Sequence, residues 1–132
     1  MLSRVANSIY WMARYMERAE NIARFVDVNL HLILDGPVEN KEQWEPLVIV
    51  SGDFEQFKDK YGFATKDNVI NFLTFDRDNP NSIISSVSSA RENARTVREV
   101  ISSEMWAQIN QYYYSLLHVE KTTGALDNSN NC

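Results

Sequence analysis

Side chains that could bind an anion or perform acid–base chemistry are concentrated in two stretches of the sequence. In the first stretch, residues 10–27, the candidates are Arg14, Glu17, Arg18, Glu20 and Asn21. In the second, residues 90–99, they are Arg91, Glu92, Asn93, Arg95 and Arg98. Guanidinium groups pair with carboxylates and bind anions through planar, hydrogen-bonded forks. These residues could therefore either pair with one another, arginine with glutamate, or bind an external anion.

The three arginines of the second stretch are spaced by four and three residues, which places them along one flank of a helix. Like charges one turn apart disfavour a helix by a few tenths of a kcal/mol per pair, roughly, so this flank favours nearby anions. One interpretation is a network between helices, in which Glu17 and Glu20 supply the carboxylates. The alternative is two solvated faces with local pairs such as Glu20–Arg24 and Arg95–Glu99, each of little energetic value.

A third interpretation is a cationic pocket for a phosphate or carboxylate, built from Arg14, Arg18, Arg91 and Arg95. Metal binding is not favoured. Di-metal sites of helical bundles use Glu-x-x-His pairs, and neither His31 nor His118 follows a glutamate at that spacing. No nucleophile motif or glycine-rich phosphate loop is present. The sequence therefore predicts no cofactor and no catalytic residue.

Two long helices are predicted to position these groups. In the first thirty-odd residues, apolar side chains recur at steps of four and three, which is typical of a helix that packs along one face. These side chains are Val5, Ile9, Met12, Met16, Ala19, Ala23, Val26, Leu30 and Ile33. Ser3 is a candidate cap for this helix, and Gly36-Pro37 a candidate end.

The second long helix is predicted to begin at Asn79-Pro80 and to end at Gly124, with a kink or a restart at Ser102-Ser103. Its apolar residues repeat the spacing of the first helix. They are Ile83, Val87, Ala90, Ala94, Val97 and Ile101. The small residues Ala90 and Ala94 would allow close approach of a partner helix, at Ala19 and Ala23 of the first.

Three short helices are predicted between the long ones. Residues 38–50 have strand propensity at Leu47–Val50, but the surrounding residues favour a helix. Asp53 and Gln56 resemble a capping box at the start of the next helix, and Gly62 a glycine exit from it. Thr65 is a candidate cap for the third short helix. The fold class predicted is an all-α bundle with two long antiparallel helices and short connecting helices.

Composition sets further bounds. With 132 residues, 44% of them hydrophobic, one helical domain is expected over residues 1–126, followed by a disordered tail at 127–132. The net charge of -5 argues against nucleic acid as a partner. No apolar run is long enough for a membrane span, and no signal peptide is recognised, so a cytoplasmic location and no membrane partner are expected.

Three ordered motifs resemble the bacterial alpha-E domain family, which is named for a Glu-Arg motif. The first runs from Tyr10 to Asn21, the second from Phe72 to Ile83 and the third from Ala90 to Arg98. The resemblance implies an all-helical cytoplasmic protein of unestablished role, with Glu17 and Arg18 as the family hallmark. Family members are longer and contain a second helix of this type, so the chain resembles the N-terminal part of their domain.

The resemblance also implies an association with ATP-grasp and transglutaminase-like enzymes, which form or process peptide amides. The sequence therefore favours a non-catalytic interaction or scaffold module with such protein partners. Surplus aromatic residues at Trp106 and 112–114 suggest self-association as a homo-oligomer, because exposed apolar patches usually mark a partner. The alternative is an enzyme or ligand-binding subunit that uses the Glu/Arg cluster as an anion or peptide site.

Overall fold

The computed structural model describes the backbone of residues 2–35 and 41–130, and the side chains of residues 3–31 and 44–122. Within these ranges it has six α-helices and no β-strand. The helices are α1 Leu2–Asp35, α2 Lys41–Ser51, α3 Phe54–Tyr61, α4 Lys66–Thr74, α5 Ile83–Thr96 and α6 Ser103–Asn130. The predicted all-α class is confirmed. Leu47–Val50 lies in α2, so the choice of helix over strand is confirmed there as well.

The chain divides into two compact units, one formed by residues 1–16 and 86–132 and the other by residues 17–85. Each unit has its own hydrophobic core. The single domain predicted over residues 1–126 stays a prediction. In the part of the chain that the structure describes, no helix is both long and apolar enough to cross a membrane.

The unit of residues 17–85 is built around α2, α3 and α4. Its buried core residues are Trp44, Val48, Phe57, Ala64, Val69, Phe72 and Leu73. The α1 side chains Ile22, Val26 and Leu30 pack against this core. Val26 and Leu30 belong to the predicted apolar stripe, whereas Ile22 was not part of it. The rings of Phe57 and Tyr61 stack at 5.1 Å between centroids, and the ring of Phe72 meets both edge-on. These ring contacts fix the end of α3 against α4.

The core of the other unit joins the first half of α1 to α5 and α6. Its buried residues are Met12, Ala90, Ala94 and Ile109, with Ile9, Tyr15, Met16, Ile101 and Trp106 packed around them. Ala90 and Ala94 have no exposed surface, as expected of small residues that allow helices to approach closely. That these alanines also meet Ala19 and Ala23 stays a prediction.

The second long helix of the prediction is two helices in the structure. After Ala94, hydrogen bonds between residues three apart replace the α-helical pattern, as in the bond from the Val97 amide to the Ala94 carbonyl at 3.1 Å. The backbone turns through residues 97–102, and Ser102 Oγ then accepts the Met105 amide at 3.0 Å, which caps α6. The predicted restart at Ser102-Ser103 is therefore confirmed.

The predicted start of this helix at Asn79-Pro80 is wrong. Asn79 is buried, its amide group donates to the Phe72 carbonyl at 3.0 Å, and its Oδ1 accepts the Asn81 amide. Helix α5 begins at Ile83. Ser82 Oγ accepts the Ser85 amide, so Ser82 takes the capping role.

The other end signals had mixed outcomes. Thr65 caps α4 by accepting the Asn68 amide, and Gly62 ends α3 with φ +82°, as predicted. Asp53 makes no capping hydrogen bond, so the capping box is wrong. Gly124 does not end α6, which continues to Asn130 through the first residues of the predicted tail. Residues 36–40, 131 and 132 lie outside the described part, as do the predicted stop at Gly36-Pro37 and the end of that tail.

Candidate functional site

A closely connected group of polar side chains lies at one end of α3. Tyr61 ends α3, Lys60 precedes it, Asn71 is on α4, and Asp76 and Asp78 follow α4 in the loop to α5. We call these five residues the Asp76 cluster. The ring of Tyr61 stacks on Phe57 and meets Phe72 edge-on, and these contacts place the tyrosine hydroxyl at the loop. The sequence stretch that follows α4 therefore folds back onto the last turn of α3.

Asp76 is at the centre of the cluster. Its Oδ1 accepts hydrogen bonds from Lys60 Nζ at 2.9 Å and from the Asp78 amide at 2.9 Å, and its Oδ2 accepts one from the Tyr61 hydroxyl at 2.9 Å. Lys60 Nζ also reaches Asp78 Oδ2 at 3.0 Å, and the amide group of Asn71 donates to the Tyr61 oxygen at 2.8 Å. The buried carboxylate is thus compensated by several donors.

Electrostatics follow from this geometry. Burial acts to raise the pKa of Asp76, but the hydrogen bonds from Lys60, Tyr61 and the Asp78 amide outweigh it, so the pKa lies below its usual value. The pKa of Tyr61 is raised, first because burial disfavours phenolate and then because the hydroxyl donates to Asp76. The hydrogen bonds to Asp76 and Asp78 raise the pKa of Lys60. The charged Lys60–Asp76 pair is therefore the stable form.

The loop after α4 has further ties to α3. Gln56 Nε2 donates to the Asp78 carbonyl at 3.0 Å, and Asn81 Nδ2 donates to Asp53 Oδ2 at 3.0 Å. Asp53 and Gln56 were predicted to form a capping box, but their side chains form hydrogen bonds with the loop after α4 instead. The cluster's donors and acceptors bind one another, so we interpret it as a structural lock rather than a reaction centre.

Sequence reasoning missed the Asp76 cluster. The contacts of Lys60 and Tyr61 with the two aspartates join residues 15 to 18 positions apart, which no helical spacing relates. A signal for it in the sequence is the polar run Asp76–Asn79, which follows α4 after Phe75 and lies within the second alpha-E motif.

On α1, the predicted site residues lie mostly on the solvent side. Glu17, Glu20 and Asn21 are exposed, and Arg18 is half-buried. Arg14 is exposed, with its guanidinium carbon 5.9 Å from the Tyr10 ring centroid. Arg14, Glu17 and Arg18 are each engaged in interactions. Their role in a network with the arginines of the second stretch stays a prediction.

On α5, Arg91 is held by neutral side chains of α6. Its Nε donates to Asn110 Oδ1 at 2.7 Å, and its Nη2 lies 3.5 Å from the Tyr114 hydroxyl. Its guanidinium carbon is 5.0 Å from the Tyr113 ring centroid, 5.7 Å from that of Tyr114 and 6.0 Å from that of Trp106. These are cation–π distances. Two of the three tyrosines identified as surplus in the sequence, Tyr113 and Tyr114, thus lie beside a cation.

The other candidates of this stretch behave differently. Arg95 pairs within α5 with Glu92 at 3.8 Å, and both side chains are exposed, so this contact contributes little. Asn93 Nδ2 donates to the Ser89 carbonyl of its own helix. Arg98 lies beyond the end of α5, so the predicted helical row of three arginines is wrong at this position. Its guanidinium carbon is 5.3 Å from the Trp106 ring centroid.

The described residues contain no group of three histidine, cysteine or carboxylate side chains that could hold a metal. His31 Nδ1 lies 2.8 Å from the Asp27 carbonyl and 3.5 Å from Asp27 Oδ1. This is a contact between exposed side chains one turn apart. The cationic pocket of Arg14, Arg18, Arg91 and Arg95 stays a prediction.

In the residues that the structure describes, the regular elements are all helices, with one polar cluster at the end of α3 and another between α5 and α6. The chain belongs to the Alpha-E family, described as a predicted alpha-helical domain with a conserved ER motif, which it matches over residues 1–131. Its sequence contains a single Glu-Arg dipeptide, Glu17-Arg18. The exposed Glu17 and half-buried Arg18 of α1 therefore correspond to the motif in that description.

The chain is also similar to longer mycobacterial proteins. It is 28% identical to an uncharacterised protein of Mycobacterium bovis and to one of Mycobacterium tuberculosis, over 78% of this chain and 13% of each relative. A further uncharacterised protein of Mycobacterium tuberculosis is 27% identical with the same coverage. This chain thus spans a small part of the curated relatives it matches. No solved structure matches it.

Proposed function

We propose that the chain is a non-catalytic helical interaction module that works in the cytoplasm with other proteins. Its partners under this proposal are ATP-grasp or transglutaminase-like enzymes that form or cleave peptide amides, as the family resemblance implies. The module also associates with further copies of itself. It holds partner enzymes in place, and its own residues carry out no reaction.

The observation that supports this proposal most strongly is an exposed aromatic group on the first half of α1. Tyr10 is 50% exposed and Trp11 40%. Their ring centroids lie 5.3 Å apart, and the Arg14 guanidinium carbon is 5.9 Å from the Tyr10 ring. Tryptophan, tyrosine and arginine are the residues that most often dominate binding energy at protein interfaces. Two adjacent exposed rings beside an arginine favour a protein partner.

The state of the polar residues also supports a non-catalytic role. A general acid or base must be able to reach a substrate, and its pKa is usually displaced toward neutral pH. Asp76 is buried and bound by Lys60 and Tyr61, and its pKa is displaced away from neutral. The most strongly perturbed carboxylate of the described residues is therefore unsuited to proton transfer.

The experiment is co-expression of the tagged full chain with an ATP-grasp protein of the kind that the family resemblance implies. The chain is captured and the co-purified enzyme is quantified. Trp11→Ala should reduce co-purification by about tenfold or more, as expected for truncation of an interface anchor. The matched control is Phe63→Ala, which removes another exposed ring, 68% exposed, from the other unit. Phe63→Ala should leave co-purification unchanged.

Equal capture by wild type and Trp11→Ala would contradict this placement of the interface. The non-catalytic role has a separate test, with Glu17→Gln in the reconstituted system. Suppose that this variant abolished a peptide-modifying activity while its melting temperature and the amount of co-purified enzyme stayed as in wild type. The chain would then supply a reacting group, and the non-catalytic role would be wrong. Light scattering over a range of protein concentrations tests self-association, which predicts a mass that rises with concentration.

A further inference from the structure

Two arginines converge on one aromatic ring in the unit formed by residues 1–16 and 86–132. The guanidinium carbon of Arg91 is 6.0 Å from the Trp106 ring centroid, and that of Arg98 is 5.3 Å away. Arg91 comes from α5, and Arg98 from the turn that follows it. Arg98 can reach the Trp106 ring because α5 ends at Thr96. The turn that follows takes Arg98 off the row of arginines on α5 and places it against α6. Two positive charges thus share one indole.

Arg91 is oriented by its neighbours. Its Nε donates to Asn110 Oδ1 at 2.7 Å, and the amide group of Asn110 donates to the Trp106 carbonyl at 2.8 Å. The Tyr113 and Tyr114 rings stand beside the guanidinium. A guanidinium carries five N–H donors, and the described hydrogen bonds use two of them, one on Nε and one on Nη2. The terminal nitrogens keep donors for another acceptor.

The described contacts of Arg91 and Arg98 include no carboxylate. The partners described for Arg91 are all neutral, and the contact described for Arg98 is the Trp106 ring. Glu92, the residue that follows Arg91 in the sequence, is paired with Arg95 instead. Two cations that contact the same indole ring, neither of them with a described carboxylate partner, favour an anion from outside the chain. Trp106 lies in the first turn of α6, where the helix dipole also favours negative charge.

We propose that Arg91 and Arg98, gathered on Trp106, bind a phosphate group. A phosphate group carries a charge of about -1.5 to -2 at neutral pH, so it matches two guanidinium groups better than a monoanion does. Its oxygens accept the forked donors of arginine. The Tyr113 and Tyr114 rings offer a stacking surface for an organic portion attached to the phosphate. This site does not depend on the proposed partner proteins, and its test uses the chain alone.

The test is an NMR titration of the full chain with inorganic phosphate, at ionic strength kept constant with sodium chloride. The indole N–H signals report on three tryptophans, Trp11, Trp44 and Trp106. Phosphate should shift the Trp106 signal saturably and leave that of the buried Trp44 in place. A parallel titration with phenyl phosphate distinguishes free phosphate from an organic phosphate, which the tyrosine rings should bind more tightly.

The informative variants are Arg98→Gln and Arg95→Gln, which remove the same charge from neighbouring positions. Arg98→Gln should weaken phosphate binding about tenfold, the usual scale for losing a hydrogen bond to a charged group. Arg95→Gln should change the phosphate affinity less than about twofold. Arg95 is exposed and paired with Glu92, and salt ions screen the effect of such a charge on a site at a distance. Arg91→Lys keeps the charge and removes the fork, and should also weaken binding.

Three results would overturn the proposal. The first is a Trp106 signal that does not shift saturably with phosphate. The second is an equal response to acetate or to chloride, since the site would then not prefer a dianion. The third is equal weakening by Arg98→Gln and Arg95→Gln, which would indicate general attraction of anions to a positive surface. Melting temperatures measured without phosphate verify that each variant is folded. Because Arg98 is exposed, we expect Arg98→Gln to fold like wild type.

Discussion

Lys60 Nζ donates to Asp76 Oδ1 at 2.9 Å, although the lysine side chain is 43% exposed and the aspartate side chain only 2%. The pair therefore joins a solvent-accessible ammonium group to a buried carboxylate. Burial of a lone carboxylate is costly, and the hydrogen bonds from Lys60, Tyr61 and the Asp78 amide offset that cost. This contact fixes the loop after α4 to the end of α3.

We expect Asp76→Asn to lower the free energy of unfolding by about 2–3 kcal/mol, because it removes the charge that several donors solvate and leaves those donors without a matched acceptor. Urea unfolding followed by circular dichroism measures the change. The control is Asp59→Asn on the exposed surface of α3, which should stay within about 0.5 kcal/mol of wild type. Similar losses in the two variants would show that Asp76 has no special role.

The acid side of the stability profile should also depend on Asp76. Its folded-state pKa lies below the ordinary value of 3.8. A lowered pKa stabilises the folded state above the unfolded-state pKa, and this contribution is lost as pH falls through the folded-state value. The stability difference between wild type and Asp76→Asn should therefore be largest above about pH 5 and should shrink below about pH 4. Urea unfolding at a series of pH values measures it, and a constant difference would contradict the assignment.

Asp53 is expected to stabilise the fold through Asn81 and not through a helix cap. A double-mutant cycle with Asp53→Ala and Asn81→Ala should give a coupling free energy of about 0.5–1.5 kcal/mol, the range for one hydrogen bond. If Asp53 acted as a cap, the two losses would be additive. Thr65→Ala serves as the reference for a true cap and should cost about 1 kcal/mol by itself.

Close packing between α1 and α5 should make Ala94 intolerant of larger side chains. Ala94 is fully buried in the cluster that contains Met12 and Ile109. Ala94→Leu should lower the melting temperature, with a loss of about 1–3 kcal/mol from overpacking. Ala107→Leu makes the same change at an exposed position of α6 and should be close to neutral. A neutral Ala94→Leu would mean that these helices are further apart than the structure places them.

Much of the fold could be predicted from the sequence because it depends on local spacing. The apolar stripe of α1, the Thr65 cap and the Gly62 exit are signals contained within a few residues, and each has its predicted place. The start of α5 could not be predicted in this way. Asn79 and Ser82 are both good caps, and the choice between them depends on the bond from the Asn79 side chain to the Phe72 carbonyl.

The candidate site was harder to predict for the same reason. The row Arg91, Arg95 and Arg98 was identified from its spacing, but the helix ends at Thr96, so Arg98 leaves the row. The neutral partners of Arg91 lie 19 and 23 residues further along the chain, at Asn110 and Tyr114. The Lys60–Asp76 pair likewise joins residues 16 apart. Helical periodicity carries no information about such partners.

The burial of Asp76 makes the chain's carboxyl groups chemically unequal. A water-soluble carbodiimide with an amine nucleophile should label Asp78, whose side chain is 81% exposed, and spare Asp76 two residues away, whose side chain is 2% exposed. A peptide that contains both residues then carries an internal reference for its own reactivity. The ratio of the two labels, measured by mass spectrometry, reports whether this loop stays packed against α3.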